Sequence, residues 1–238
     1  MNTINKTHNV IFITGTDTDV GKTFVCALLL RFFREKGIDA CYQKWVSTGS
    51  AEISGDLFRC LDFAGINKES INLDELSPYR FSLPASPHLA AETDKRAIDS
   101  AVLIDCTRSL ALKYEIVLLE GVGGVLVPLR RDLLLADLIS GCKFRTLVVA
   151  RSGLGTLNHT LLTLEALRNR DIPITGVILS DSSPDENEHL VEDNMRSIVE
   201  IGDVKVFGRI PWCENLDDAY GFFRPIGERI VKELKAQG

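Results

Sequence analysis

Apolar and β-branched residues run without polar alternation at 10–14, 40–46, 116–119, 146–150 and 174–179, the pattern of short strands buried on both faces. Apolar positions recur at helical spacing at 23–36, 100–113, 158–170, 188–200 and 226–235, and the first of these stretches stops at Gly37. Strands that alternate with helices predict right-handed crossovers and an α/β fold, a mostly parallel sheet flanked by helices in three Rossmann-like layers. Residues 47–86 keep neither period and predict loops and short helices over the sheet. No repeat, low-complexity tract or Pro/Gly-rich linker interrupts the chain, so residues 1–238 are expected to form one domain.

Open sheets of this kind bind ligands beyond the carboxyl ends of their strands, so the residues that follow each strand carry the chemistry. After the first strand comes GTDTDVGKT, residues 15–23, leading straight into a helix. Backbone N–H groups and a helix dipole there cradle phosphates: Lys22 neutralises β/γ-phosphate oxygens, Thr23 offers a hydroxyl to Mg²⁺, and Gly21 lets the backbone approach closely. Gly15 stands one residue before the usual first glycine of a P-loop, whose place Thr16 takes, so this is a variant P-loop of the NTPase type. The second strand ends in Gln43-Lys44-Trp45-Val46-Ser47-Thr48-Gly49, which sets a lysine and two hydroxyls at the same edge. Asp56 follows in the next loop, where an acidic residue is either a metal-side carboxylate or a helix N-cap. The third strand ends in Leu119-Glu120-Gly121-Val122-Gly123-Gly124, a carboxylate placed to hold Mg²⁺ beside glycines that admit a ligand. Lysines that face a ligand in this way give no reason to expect a role in stability.

Composition removes several function classes. With 27 Lys and Arg against 33 Asp and Glu the net charge is −6 and no like-charge run appears, which excludes nucleic acid as a partner. The six cysteines form no C-x-x-C pair, as suits a reducing, cytoplasmic setting. The polar amino terminus holds no apolar signal core, and no apolar stretch reaches the roughly 20 residues of a membrane span, so neither secretion nor a membrane is expected. No Ser-His-Asp or Cys-His constellation is present, and His88 and His159 are assigned structural or orienting roles.

Six motifs, GTDTDVGKT, QKWVSTG, SGD, PASPH, LEGVGG and GRIPW, occur in the order found in dethiobiotin synthetases, and over residues 10–215 the chain resembles that family. The resemblance implies an ATP- and Mg²⁺-dependent cyclo-ligase that takes 7,8-diaminononanoate and carbon dioxide to dethiobiotin, with ADP and phosphate as products. It makes Lys22 and Lys44 the catalytic lysines, Asp19, Val20, Gly21, Lys22, Thr23 and Phe24 the phosphate-binding stretch, and Thr23, Asp56 and Glu120 the metal-linked positions. Thr18 and Thr48 fall near the substrate carbamate, and Gly121, Val122 and Gly123 along substrate and phosphate. Ser180, Asp181, Pro211 and Glu214 fall on the adenine side. Gly153, Leu154, Gly155, Thr156, Leu157 and Asn158 match a segment that the neighbouring subunit lends to hold the diamine's distant carboxylate, which implies a homodimer with shared sites. In the residues themselves, Gly153 and Gly155 free the backbone there and Thr156 is placed to cap the helix. Trp45 stands where the family has proline, and its bulk beside Lys44 is expected to reshape the pocket. Ser180 stands where the family often has asparagine, and looser nucleotide discrimination is expected. The competing class is a regulatory P-loop ATPase of the partition or cell-division type. Against it, Asp17 occupies that class's lysine position, and ERIVKELKAQG shows no amphipathic membrane helix.

Overall fold

The computed structural model describes residues 9–50, 55–67 and 71–236; the polar amino-terminal segment and Ser54 of the SGD motif lie outside them. In chain order the elements are β1 (Val10–Gly15), α1 (Lys22–Glu35), β2 (Ala40–Lys44), β3 (Val46–Thr48), α2 (Gly55–Phe63), α3 (Leu73–Leu76), β4 (Tyr79–Phe81), α4 (Pro87–Thr93) and α5 (Ser100–Lys113). They continue with β5 (Ile116–Gly124), β6 (Pro128–Arg130), β7 (Leu133–Leu134), α6 (Leu135–Cys142), β8 (Arg145–Arg151), α7 (Thr156–Arg168), β9 (Ile174–Ser180), α8 (Glu188–Gly202), β10 (Val206–Ile210) and α9 (Leu216–Ala236). Six strands form one sheet in the order β10-β9-β8-β1-β5-β2, every pairing parallel. Phe12, Ile13, Leu118, Leu119, Val148 and Val149 are wholly buried, as strands covered on both faces require.

Alternation along β2 sorts chemistry to the two faces. Tyr42 and Lys44 both reach Glu120, whereas Gln43 bonds the backbone of α3 at Glu75 and the Thr107 hydroxyl of α5. The expected strand 40–46 therefore breaks at Trp45, whose indole donates to Thr107 Oγ1 at 2.7 Å and lies buried in the core rather than in the pocket. Its bulk does not reshape the site. Beyond the break, β3 pairs in parallel with β4, so the stretch expected to be loops and short helices contains a second, two-stranded sheet.

Three further corrections have physical causes. The third strand runs on to Gly124, because Glu120 is stabilised inside the sheet by hydroxyl and ammonium partners that a sequence pattern does not show. The sixth strand, β10, escapes the pattern because Gly208 and Arg209 interrupt a five-residue run. The last helix begins ten residues earlier than the expected 226, since Pro225 hides a continuing helix. That helix is amphipathic, but its apolar stripe, Tyr220, Phe223, Ile226 and Ile230, is buried within the core cluster. Arg31 of α1 lies over the rings of both Phe63 (4.7 Å) and Tyr220 (4.3 Å), which themselves meet edge to face, and so ties α2 to α9.

Candidate functional site

The loop from Gly15 to Thr23 is held at its base by Thr16 N–H donating to the Val149 carbonyl at 3.0 Å. Asp19 (φ 55°) and Gly21 (φ 94°) both take left-handed backbone, which curls successive N–H groups inward as an anion-binding concavity. Gly21 caps α1 with no side-chain hydrogen bond, so the first-turn N–H groups stay open to a ligand. A β-carbon at Gly21 would sit 3.0 Å from Ser180 Oγ, so the loop packs against the end of β9 only with glycine here. Lys22 folds back and donates to the Asp17 carbonyl at 2.8 Å.

Glu120 is the hub of the site. It stands in register with Ile13 of β1 and Lys44 of β2 and is 1% exposed. Its Oε1 accepts from Thr23 Oγ1 at 2.9 Å and Lys44 Nζ at 3.0 Å, and its Oε2 accepts from Tyr42 OH at 2.7 Å. Lys44 also donates to Asp56, which lies in the first turn of α2. Three donors occupy most of the roughly four lone-pair sites of this buried carboxylate and leave one open, and its charge is offset by an ammonium. Burial alone disfavours a charged Lys44, but Glu120 and Asp56 together outweigh it and push its pKa above the ordinary lysine value. Lys22 goes the other way. Burial lowers its pKa, Glu120 resists, and the nearby Lys44 lowers it further. Burial and the neighbouring Glu120 also keep the Tyr42 phenol protonated.

A cleft of about 270 Å³ opens beside this hub, lined on one wall by Asp19, Val20, Gly21 and Phe24 and on the other by Ser180–Ser182 and Pro211–Cys213, with Arg151 between them. The cleft thus brings Asp19, Val20, Gly21 and Phe24 together with Ser180, Asp181 and Pro211, whereas Lys22 and Thr23 turn to Asp17 and Glu120 and Glu214 is exposed outside it. The Asp181 carboxylate is taken by Arg209 through both oxygens (2.8 and 2.7 Å) and by Ser152 Oγ at 2.5 Å, so it organises the wall rather than offering a free acceptor. A β-carbon at Gly123 would lie 3.7 Å from Thr18 Oγ1, so Thr18 stands close to that glycine, and Thr48 is half-buried at the end of β3.

Residues 153–158 form a separate feature. Gly155 (φ 88°), not Thr156, caps α7; Thr156 is already helical and its hydroxyl lies 3.2 Å from that of Thr160. The expected Thr156 cap is therefore absent, and the first-turn N–H groups are left without a side-chain acceptor. Leu154 at the tip is 90% exposed.

Tyr42, Arg151 and Trp212 were not singled out by the sequence. Tyr42 lies two residues before Lys44 on the same strand face, and that period was a usable signal. Arg151 ends a strand at the ligand-binding edge. Trp212 sits within GRIPW and is 42% exposed at the cleft.

Comparison with known proteins gives a consistent picture. The AAA domain family matches residues 9–220. The ATP-dependent dethiobiotin synthetase BioD of Methanococcus vannielii is 37% identical over 199 residues, covering 84% of this chain and 92% of that one. The protein of the same name from Rhizorhabdus wittichii is 44% identical over 87% of this chain and 89% of its own. Among solved structures, a Borrelia burgdorferi plasmid partition protein aligns with TM-score 0.58 at 16% identity over 94% of this chain and 98% of that one. The Pyrococcus furiosus cell division ATPase MinD aligns with TM-score 0.55 at 14% identity over 97% and 100%. At such identities the two structures share the fold alone.

Proposed function

The chain belongs to the family of ATP-dependent dethiobiotin synthetases, and on that premise we propose that the hub around Glu120 is where it closes the cyclic urea of dethiobiotin from 7,8-diaminononanoate, carbon dioxide and ATP. The observation that carries this reading is the convergence of the P-loop Thr23 and the strand-end Lys44 on one buried carboxylate, with Lys22 alongside.

One amine of the substrate captures carbon dioxide as a carbamate. A carbamate oxygen attacks the γ-phosphoryl group with loss of ADP, and the second amine then displaces phosphate to close the ring. Negative charge gathers at the carbamate and γ-phosphate throughout. Lys22 receives it directly once it leaves the Asp17 carbonyl, and Lys44, kept charged by its carboxylates, faces the same point. Lys44, fixed by its two carboxylates, acts without reorganising, and holding carbamate and phosphate in line contributes further, on the order of the 7–11 kcal/mol ascribed to good intramolecular orientation. No protein nucleophile takes part.

Thr23, Asp56 and Glu120 suit Mg²⁺, since all three offer hard oxygen donors and two are carboxylates, the set such an ion takes together with substrate phosphates and water. The two lysines and two carboxylates balance one another, so an arriving triphosphate brings uncompensated charge that a divalent cation offsets. When bound, Mg²⁺ supplies Lewis-acid stabilisation of the phosphoryl oxygens. Residues 153–158 are read as the carboxylate-binding loop lent to the neighbouring subunit of a homodimer. The start of α7, which no side chain caps, and the exposed Leu154 support this. No helix among the described residues is long and apolar enough to cross a membrane, which is consistent with a cytoplasmic enzyme.

The test is turnover with purified protein, ATP, Mg²⁺, bicarbonate and diamine. Dethiobiotin detected by mass spectrometry, with phosphate release that needs the diamine, is the expected result. ATP hydrolysis indifferent to the diamine, with no dethiobiotin formed, overturns the reading.

A further inference from the structure

We propose that Arg151 is a ligand of the nucleotide's phosphate chain, supplied by the same chain as the P-loop through an Nε–H that no acceptor among the described residues uses. The inference rests on reading the adjoining cleft as the nucleotide site and names a residue that this reading does not include.

Strand register fixes the place. Val149 pairs with Gly15, and Arg151 pairs with Ser180, so Arg151 emerges at the carboxyl edge between the P-loop and the end of β9. Its side chain lines the cleft. One Nη reaches Asp17 Oδ2 at 3.3 Å and the Thr18 carbonyl at 3.4 Å, both near the outer limit of a hydrogen bond. Its Nε is buried in this conformation and has no acceptor among the described residues.

Arg209, a short distance along the same wall, shows what an arginine with a purely structural task looks like here. It grips Asp181 with two short bonds and Glu188 with a third, at 2.5 Å. Arg151 has the opposite character: long, loose contacts and a buried donor left over. Buried polar groups are ordinarily paired, and one left unpaired at a binding site calls for a ligand. The partner must be anionic and rich in acceptors, because a guanidinium carries a permanent charge and a planar fork of donors that matches phosphate. The P-loop that Arg151 touches is built for that group. The Asp17 contact uses a different nitrogen, and the side chain as a whole is 42% exposed, so a turn of the guanidinium brings Nε out to a phosphate oxygen.

Calorimetric binding of ADP and steady-state kinetics test this with Arg151→Met, Arg151→Lys and Asp17→Asn. The wild-type protein must first bind ADP; if it does not, the reading of the cleft fails and this inference with it. Given wild-type binding, Arg151→Met is expected to raise the ADP Kd and the ATP KM by about 10- to 100-fold, the range for a lost charge-assisted hydrogen bond, with the diamine KM within about twofold. Arg151→Lys keeps the charge without the fork and is expected to recover part of the loss. It also serves as the informative variant if Arg151→Met fails to fold. Three results overturn the proposal and leave the cleft reading standing: ADP binding unchanged in both Arg151 variants, the same loss in Asp17→Asn, which makes Arg151 a tether for the loop, or a defect confined to the diamine KM.

Discussion

The Glu120 hub and the 153–158 loop are built on opposite plans. At the hub every charge is answered from within the chain: Glu120 has three donors, Lys44 has two carboxylates, and all but Asp56 are largely buried. At the loop the helix start is capped by a bare glycine, and its apolar tip is almost wholly exposed. A site that answers its own charges is ready before ligand arrives. One that leaves N–H groups and a leucine open needs something from outside. On the proposed function, the difference separates what one chain would do alone, phosphate handling, from what it would share with a neighbouring subunit, substrate capture.

The sharpest break of that contrast is at the hub. Lys22→Ala and Lys44→Ala are each expected to lower kcat by roughly 10²-fold or more, the usual cost of removing a preorganised electrostatic contact. Their effects on stability separate. Lys44→Ala leaves Glu120 buried without its ammonium, and loss of one partner of a buried pair costs about 3–5 kcal/mol, so Tm is expected to fall by several degrees. Lys22, whose ammonium is bound only to a carbonyl, is expected to leave Tm within about two degrees when replaced by alanine. Scanning calorimetry distinguishes them, and equal Tm shifts would show that Lys44 is not the hub's counter-ion. Nothing in the residue pattern announces this asymmetry, because it does not reveal how deeply Lys44 is buried.

Next in size is complementation across the shared half. Lys44→Ala subunits mixed with Gly155→Phe subunits, each inactive alone, are expected to regain part of the activity, because one site of a mixed dimer pairs an intact Lys44 with an intact loop. No recovery, or an active monomer by light scattering, assigns the loop to its own chain. A smaller effect concerns Ser180 at the cleft wall. A serine hydroxyl replaces an amide that offers both a donor and an acceptor, and one lost base-edge contact is worth on the order of 1–3 kcal/mol of selectivity. Comparable kcat/KM with ATP and with GTP or CTP is expected; a preference for ATP above about a thousandfold counts against it.

The smallest effect sharpens the hub itself. Burial lowers the Lys22 pKa, so in the free enzyme its proton leaves at lower pH than that of an ordinary lysine. Nucleotide capture needs the ammonium, so kcat/KM for ATP is expected to fall on the alkaline side, beginning below the usual lysine range. Lys22→Arg stays charged there and is expected to move that limb to higher pH. An unmoved limb assigns it to another group.

Most of the phosphate end was legible in the sequence, because glycine, lysine and hydroxyl at fixed spacing carry their chemistry with them. Lys44, Asp56 and Glu120 were each readable as residues beyond strand ends, but their mutual bonding was not, since it depends on which strands become neighbours. Trp45 shows the limit well. As a letter beside a catalytic lysine it suggested a reshaped pocket, whereas pleating sends it to the opposite face, where Thr107 accepts its N–H. Arg151 was passed over for a related reason. An unpartnered Nε is a property of packing and leaves no trace in a pattern of apolar positions.

Strand order carries one more consequence, for how the chain comes together. β5 lies between β1 and β2, although both are synthesised before it. The first two strands must therefore keep their facing edges free until β5 arrives, and parallel neighbours of this kind have no tight hairpin to hasten them. Glu120 arrives with β5, so its bonds to Thr23, Tyr42 and Lys44 close as that central seam closes. Competence to bind nucleotide is thus a late event in folding, and in refolding it is expected to lag behind the recovery of helix.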